Sequence, residues 1–207
     1  GHYDHTGGLA AAAARRRPLD VYAHPRAFAK RWADRAGQAM RDISCPHSQQ
    51  KLRGLGAVLH PVEAPTPLRD WLVLSGPIGG PRASGDHFVI RRDDEIVVDA
   101  FEDELFLLVR GARGWWVVTG CCHRGIRNTL RTARFLAHDA PLAGLIGGLH
   151  LGGAADEQLD EAMALFDEYE LPAVHPCHCT GEKAMAYLAQ HAGGRVEPIA
   201  GGARIAL

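Results

Sequence analysis

Long apolar runs are missing from this sequence, and none approaches the roughly 20 residues that a membrane-spanning helix needs, which argues against a membrane role. Charge of one sign is equally scarce. The formal net charge is −1 over 207 residues, so no global field draws the chain to nucleic acid or to an anionic membrane. The dense basic cluster Arg15-Arg16-Arg17 falls where a helix should end before Pro18, a place where cations complement the helix dipole. A basic stretch interleaved with aromatics, the usual mark of a nucleic-acid surface, is absent. Cysteine is sparse and oddly placed: of five, four fall in the clusters Cys121-Cys122 and Cys177-x-Cys179. Such spacing does not build a disulfide framework, and it points to a reducing, cytoplasmic compartment. Neither an initiator Met nor a signal-peptide pattern is found, and no internal repeat or low-complexity tract.

What is present is an ordinary globular composition, 46% hydrophobic and 23% charged, long enough for one domain with a substantial core. The pattern predicts a helix over Leu9–Arg17, a strand at Val21–Ala23 and a second helix from Pro25 to about Met40. Residues 43–50 read as loop. Strands are predicted at Ala57–His60 and Trp71–Ser75, around a proline-rich connection. The Gly/Pro-dense segment Gly76–Asp86 reads as a mobile substrate loop. Ile96–Val98, Leu105–Val109 and Trp115–Thr119 suggest a meander. A helix near Gly125 and a strand Ala143–Ile146 follow. The helix Asp156–Tyr169 carries Leu159, Ala162, Leu165 and Phe166 on one face. A strand at Ala173-Val174, a helix Glu182–His191 and a terminal strand Arg204–Leu207 complete an α/β layered architecture with a largely antiparallel meander.

Potential metal ligands concentrate in three places, each at a loop or a predicted strand end. The first is Gly1-His2-Tyr3-Asp4-His5-Thr6-Gly7-Gly8, where two imidazoles and a carboxylate fall within four residues. Such ligands suit zinc, iron or manganese, and their spacing predicts a tight loop ending near Thr6 rather than one helix face. The second is Val117-Val118-Thr119-Gly120-Cys121-Cys122-His123, an apolar strand breaking at a glycine with His at its tip. The third is His175-x-Cys177-His178-Cys179-Thr180-Gly181, which repeats that layout.

The resemblance these motifs carry is specific. Gly120-Cys121-Cys122-His123-Arg124-Gly125-Ile126-x-Asn128 resembles the "GCSHxGIxN" motif of a branch of the metallo-β-lactamase superfamily. Pro176-Cys177-His178-Cys179-Thr180-Gly181 resembles that branch's "PCHCTG", and Gly147-Gly148-Leu149-His150-Leu151 its "GGFHL". The opening residues resemble the second half of the superfamily's His-x-His-x-Asp-His motif, whose first His would precede Gly1. The branch includes proteins similar to a methanopterin-pathway pterin-methyl transferase. The resemblance implies a single αββα sandwich domain over residues 1–207, expected to lack its N-terminal strands, with one or two divalent metal ions along one edge. Zinc leads, with iron or manganese as alternatives. His2 and His123 would hold a first metal; Asp4, His5 and His178 would hold a second, Asp4 also standing as the catalytic carboxylate. A hydroxide between the metals would be the nucleophile. Many superfamily members add a bridging Asp, for which Asp139 is the nearby choice.

Other residues keep alternatives open. His150, with Gly147 and Gly148, reads either as a substrate-phosphate contact or as packing. The clustered cysteines read as small buried residues or as thiolate ligands of a separate zinc. His175 reads as structural or as a hydrogen-bond partner behind a ligand rather than as a ligand itself, and His24 as structural. The resulting expectation is a metal-dependent hydrolase acting on a small anionic or phosphorylated metabolite. Its alternatives are a pterin-methyl transferase condensing its substrate with an arylamine ribose phosphate, a nuclease-type member, and a metal-binding module without activity. A small-molecule substrate is expected, with neither nucleic acid nor membrane as partner. A sheet edge left bare by missing strands would pair copies into a homo-oligomer.

Overall fold

The computed structural model describes residues 1–81 and 87–207. In chain order the elements are helices α1 (Tyr3–Thr6) and α2 (Leu9–Arg15), strand β1 (Leu19–Ala23), a 3-10 turn (Pro25–Phe28), β2 (Arg31–Ala33), β3 (Arg41–Asp42) and α3 (Gln49–Gly54). Then come β4 (Ala57–Pro61), β5 (Thr66–Arg69), β6 (Leu72–Leu74), β7 (Phe88–Arg92), β8 (Glu95–Val98), β9 (Phe106–Gly111) and β10 (Gly114–Thr119). The last part holds α4 (Ile126–Leu136), β11 (Leu142–Gly148), α5 (Asp156–Glu168), β12 (Val174–Cys177), a 3-10 turn (His178–Thr180) and α6 (Glu182–His191). The chain forms two compact units, one from Gly1–Ala64 with Ser84–Glu104 and the other from Pro65–Ala83 with Leu105–Leu207.

In the first unit, β1 pairs in parallel with β4, Leu19 opposite Ala57. The alanine-rich α2 packs small side chains against this pair: Ala13, Leu52 and Ala57 are buried together, with Leu9, Leu19 and Val21 around them. A four-stranded sheet in the order β3-β2-β7-β8 completes the unit.

The predicted helix over residues 25–40 does not form. Pro25 opens only a 3-10 turn, capped by His24, whose Nδ1 accepts from the Arg26 amide at 3.2 Å, so the structural reading of His24 fits. The chain then extends because Arg31 is pulled fully inside. Its Nε donates to Asp99 at 2.7 Å and its Nη2 to Asp103 at 2.6 Å, partners about 70 residues away that no local pattern reveals. A buried guanidinium needs such carboxylates, and β2 alternates to deliver it, Arg31 and Ala33 inward with Trp32 only half-buried. Gly37, at a φ of +77°, lies in a left-handed conformation that also breaks a helix. The predicted loop 43–50 runs into α3, a helix missed by sequence, whose N-cap Ser48 accepts from the Lys51 amide.

The second unit is built on a six-stranded sheet, β12-β11-β10-β9-β6-β5. Half of it is a meander as expected, since β9 pairs antiparallel with β10 and β6, and β6 with β5. The other half is not: β10, β11 and β12 run parallel, with α4 and α5 as the crossovers that parallel strands require. Nor does β8 continue into β9, since they belong to different sheets. Turn signals separate strands without saying which will pair. The core gathers Phe106, Leu108 and Val117 with Leu130, Leu145, Phe166 and Leu188. The face predicted for Asp156–Tyr169 is the buried one: Leu159, Ala162, Leu165 and Phe166.

The terminal strand predicted at Arg204–Leu207 is also absent, for a visible reason. The outer edge of β12 is already taken. Val174 donates to Arg195 O at 2.8 Å, Glu197 donates back to Val174 O at 2.9 Å, and Ile199 to Pro176 O at 3.1 Å. Among the described residues no helix is long and apolar enough to cross a membrane.

Candidate metal centre

Because β10, β11 and β12 are parallel, their C-terminal ends reach one edge of the second unit's sheet, where α/β sheets commonly bind ligands. Each strand breaks there into a motif segment. Thr119 gives way to Gly120–His123, Gly148 to Leu149-His150, and Cys177 to the turn His178–Thr180. Cys122, His150 and His178 all take positive φ, 65°, 52° and 52°. Non-glycine residues held this way cost about 1–3 kcal/mol each and cluster at functional sites.

The three segments are stitched together. Gly148 N donates to Gly120 O at 3.0 Å, and Leu149 N to Thr180 Oγ1 at 3.1 Å. The Thr180 hydroxyl donates onward to Cys177 O at 2.8 Å, while Gly152 N donates to Cys179 O at 3.2 Å. A methyl group at Gly147 would collide with the Thr119 carbonyl, and one at Gly148 with Gly120 O and the Cys179 thiol. The glycine pair therefore permits close approach of neighbouring backbones.

His123 is buried, 6% exposed, and its ring lies 4.2 Å from that of His150, centroid to centroid, at an interplanar angle of 54°. His178, next on the edge, is exposed. Cys121, His150 and Cys179 bring their donor atoms within 4.8 Å of one another. Cys179 Sγ lies 3.5 Å from Cys121 O. Its thiol is pulled down to about 4 by hydrogen bonding from Cys121 and then His150, against a desolvation that raises it. These cysteines are what sequence reasoning weighed least. Their grouping depends on strand order, which spacing does not contain.

In the first unit the tight loop expected at the opening is a single helical turn, closed by Gly7 N donating to Tyr3 O at 2.7 Å. His2 stands before it with an extended backbone, buried at 8% exposure, its ring 5.5 Å from Phe88 and 6.0 Å from Phe101. Asp4 and His5 are exposed, and His5 Nε2 lies 3.6 Å from Asp4 Oδ2. Adjacent on one turn, they still bring a carboxylate and an imidazole close together.

Asp139 does not join the strand-end cluster. It sits in the turn before β11, donating from its backbone to Arg134 O, while the motif lies at the strand's far end. Seven residues of strand separate the two by about 20 Å. His175 stacks on Trp116 at 5.9 Å and its Nδ1 pairs with Glu197 O at 3.2 Å, in accord with a structural role.

The expected substrate loop divides. Residues 82–86 lie outside the described residues. The part before them is tied down rather than loose: Ile78 is buried, and Ile78 O accepts from Arg124 Nε at 3.1 Å. Arg124 also donates to Gly80 O, and Asn128 Nδ2 donates to Pro81 O and Arg124 O, both at 2.6 Å. These are the Arg and Asn of the Gly120–Asn128 motif, so part of that motif positions the loop.

No family model matches the chain. It is 30% identical over 196 residues to an uncharacterized protein of Methanocaldococcus jannaschii, covering 92% of this chain and 70% of that one. With the 7,8-dihydropterin-6-methyl-4-(beta-D-ribofuranosyl)-aminobenzene-5'-phosphate synthase of the same organism it shares 23% identity over 190 residues, 88% of this chain and 65% of the synthase. The chain thus spans about two thirds of the length of these curated relatives. A crystal structure described as a metal-dependent hydrolase of the beta-lactamase superfamily superposes with a TM-score of 0.83 at 28% identity, covering 100% of this chain and 77% of that one. The chain belongs to the beta-lactamase superfamily of that solved neighbour and is a distant homologue of the pterin synthase. Its α/β fold is of the beta-lactamase type.

Proposed function

We propose that this chain is a metal-dependent hydrolase of a small anionic or phosphorylated metabolite, working in the cytoplasm with one or two divalent ions, zinc first. The observation that carries the reading is the convergence of three motif segments, bearing His123, His150 and His178, on one sheet edge with strained backbones. The donor chemistry fits such ions, since imidazole and carboxylate suit zinc and its neighbours. His2 and His123 would hold one ion, and Asp4, His5 and His178 another. Divalent ions held there would supply an acidified water and a polarised scissile bond. The chain's own residues supply the rest. Asp4, with Oδ2 3.6 Å from His5 Nε2, would stand as the catalytic carboxylate. The Gly147-Gly148-His150 turn, rigidified through Leu149 and Thr180, would face an anionic substrate. Arg124 and Asn128 fix the segment before residue 82.

Purified chain loaded with zinc, manganese or iron should turn over phosphate esters, diesters or lactones, and His123→Ala should abolish this with the circular dichroism unchanged. A metal-loaded chain inert on every class of that panel would overturn the hydrolase reading.

A second reading, transfer onto an arylamine ribose phosphate, is favoured by the similarity to the pterin synthase. Incubation with a pterin-methyl diphosphate separates the two: diphosphate release without an arylamine acceptor excludes obligatory transfer, and acceptor-dependent release supports it. A nuclease role has no basic surface stretch in its favour.

A further inference from the structure

We propose that Cys121, His150 and Cys179 form a soft metal site of their own, a Cys2His set that takes Zn²⁺ and leaves a fourth coordination position open. It rests on the hydrolase reading and goes beyond it by adding two sulfur ligands at that edge, where Cys121 also brings its thiol within 4.8 Å of a donor atom of His178. It also lies wholly within the second unit.

The geometry points to it in three ways. The donor atoms of the three side chains already lie within 4.8 Å of one another. Around a zinc ion with bonds of ~2.0–2.3 Å, donors stand roughly 3.3–3.8 Å apart, so the three donors need approach by no more than about 1.5 Å. Next, each ligand comes from a different strand end, and these ends are locked by Gly148 N to Gly120 O, Leu149 N to Thr180 Oγ1 and Gly152 N to Cys179 O. A ligand set held this way loses little freedom on binding. Third, the fold makes room for sulfur. The Cys179 thiol lies over Gly148, where any larger residue would collide with it, and His150 reaches its place through a left-handed backbone.

Ligand softness sets the ion. Two thiolates and an imidazole favour zinc or cadmium over magnesium or manganese, the reverse of the preference of an Asp/His set. Three protein ligands with an open position are the arrangement of catalytic rather than structural zinc. His150 then acts on an anionic substrate through the ion it holds, which sharpens the choice between substrate contact and packing. The neighbouring thiols are excluded. Cys122 Sγ is engaged with the Thr129 hydroxyl at 3.2 Å, and Cys177 falls outside the group.

The test uses the whole chain loaded with Co²⁺. Thiolate-to-cobalt charge-transfer absorption should appear in the near ultraviolet. Cys121→Ser and Cys179→Ser should each remove most of it, and His150→Gln should weaken cobalt binding at least tenfold. Cys177→Ser and Cys45→Ser should leave it unchanged. A wild-type chain that binds cobalt without this absorption overturns the proposal, and so does a band removed by Cys177→Ser but not by Cys179→Ser. Should a serine variant fail to fold, zinc-edge X-ray absorption on the wild-type chain decides: sulfur scatterers at ~2.3 Å support the site, and nitrogen and oxygen alone overturn it. Sulfur ligation in a chain inert on every substrate would leave this site standing and remove the hydrolase reading.

Discussion

Arg31 donates to Asp99 at 2.7 Å with both side chains 2% exposed or less, and Asp99 also accepts from the Phe101 amide at 2.8 Å. A guanidinium with a second carboxylate, Asp103, at 2.6 Å ties β2 to the segment after β8. Breaking a buried pair strands the surviving charge, which costs about 3–5 kcal/mol. Asp99→Ala should therefore lower the unfolding free energy of the first unit, taken from urea denaturation followed by Trp32 fluorescence, by that amount. A loss below ~1 kcal/mol would mean that solvent reaches the guanidinium.

How far the sequence revealed this fold follows from the range of the interactions involved. Helices α4, α5 and α6 were legible because their apolar spacing is local, and the bounds expected for Glu182–His191 match. The segment from Pro25 was misread for the complementary reason. Its alanines and charges suit a helix, and only Asp99 and Asp103, far along the chain, dictate the strand. Strands β5 and β7 were also missed, the first inside the proline-rich connection and the second just before the regular alternation begins. At the metal centre, motif resemblance singled out His123 and His178. Cys121 and Cys179 read more readily as small core residues than as ligands, and only the parallel order of β10, β11 and β12 brings them to His150.

Asn128 gives a more local test. Buried on α4, it donates to Pro81 O and Arg124 O. Asn128→Ala leaves two carbonyls without this donor, a loss of about 1–3 kcal/mol. Limited proteolysis around residues 76–81 should accelerate severalfold. An unchanged digestion rate would show that Arg124 alone suffices to hold that segment.

Gly148→Ala should be disproportionately harmful. Its new methyl meets Gly120 O and the Cys179 thiol, whereas one at Gly201 meets nothing within 4 Å. Overpacking of this kind costs typically ~1–3 kcal/mol, and here it also pushes Cys179 away from His150. Gly148→Ala should therefore lose thermal stability and cobalt–thiolate absorption together, while Gly201→Ala changes neither. Retained absorption in Gly148→Ala would argue that the strand ends shift as one body.

Asp42 sets a small acid-side dependence. Its carboxyl is held down to about 2, from 3.8, first by hydrogen bonding from Ser44 and then by Lys30, at 2.9 Å. A depressed carboxylate contributes stability that is present above the unfolded value and lost as pH falls from about 4 through about 2. Because the side chain is half exposed, solvent screening keeps the contribution below ~1 kcal/mol. The urea midpoint of Asp42→Asn should lie slightly below wild type near neutral pH and converge with it near pH ~2. A constant gap across that window would assign the effect to packing instead.

Metal removal offers the broadest check, because ions that bind only the folded chain stabilise it by mass action. At a free concentration of about 1,000 times the dissociation constant the gain is ~4 kcal/mol, several degrees in melting temperature. Chelator-treated chain should melt earlier, and zinc should restore it where magnesium does not, since the thiolate and imidazole donors at the ends of β10, β11 and β12 discriminate against a hard ion. His123→Ala should reduce the zinc shift, and the Cys121→Ser, Cys179→Ser double variant should reduce it independently. If the two losses add, the ions occupy separate ligand sets; if either variant alone removes the whole shift, one shared centre accounts for the binding.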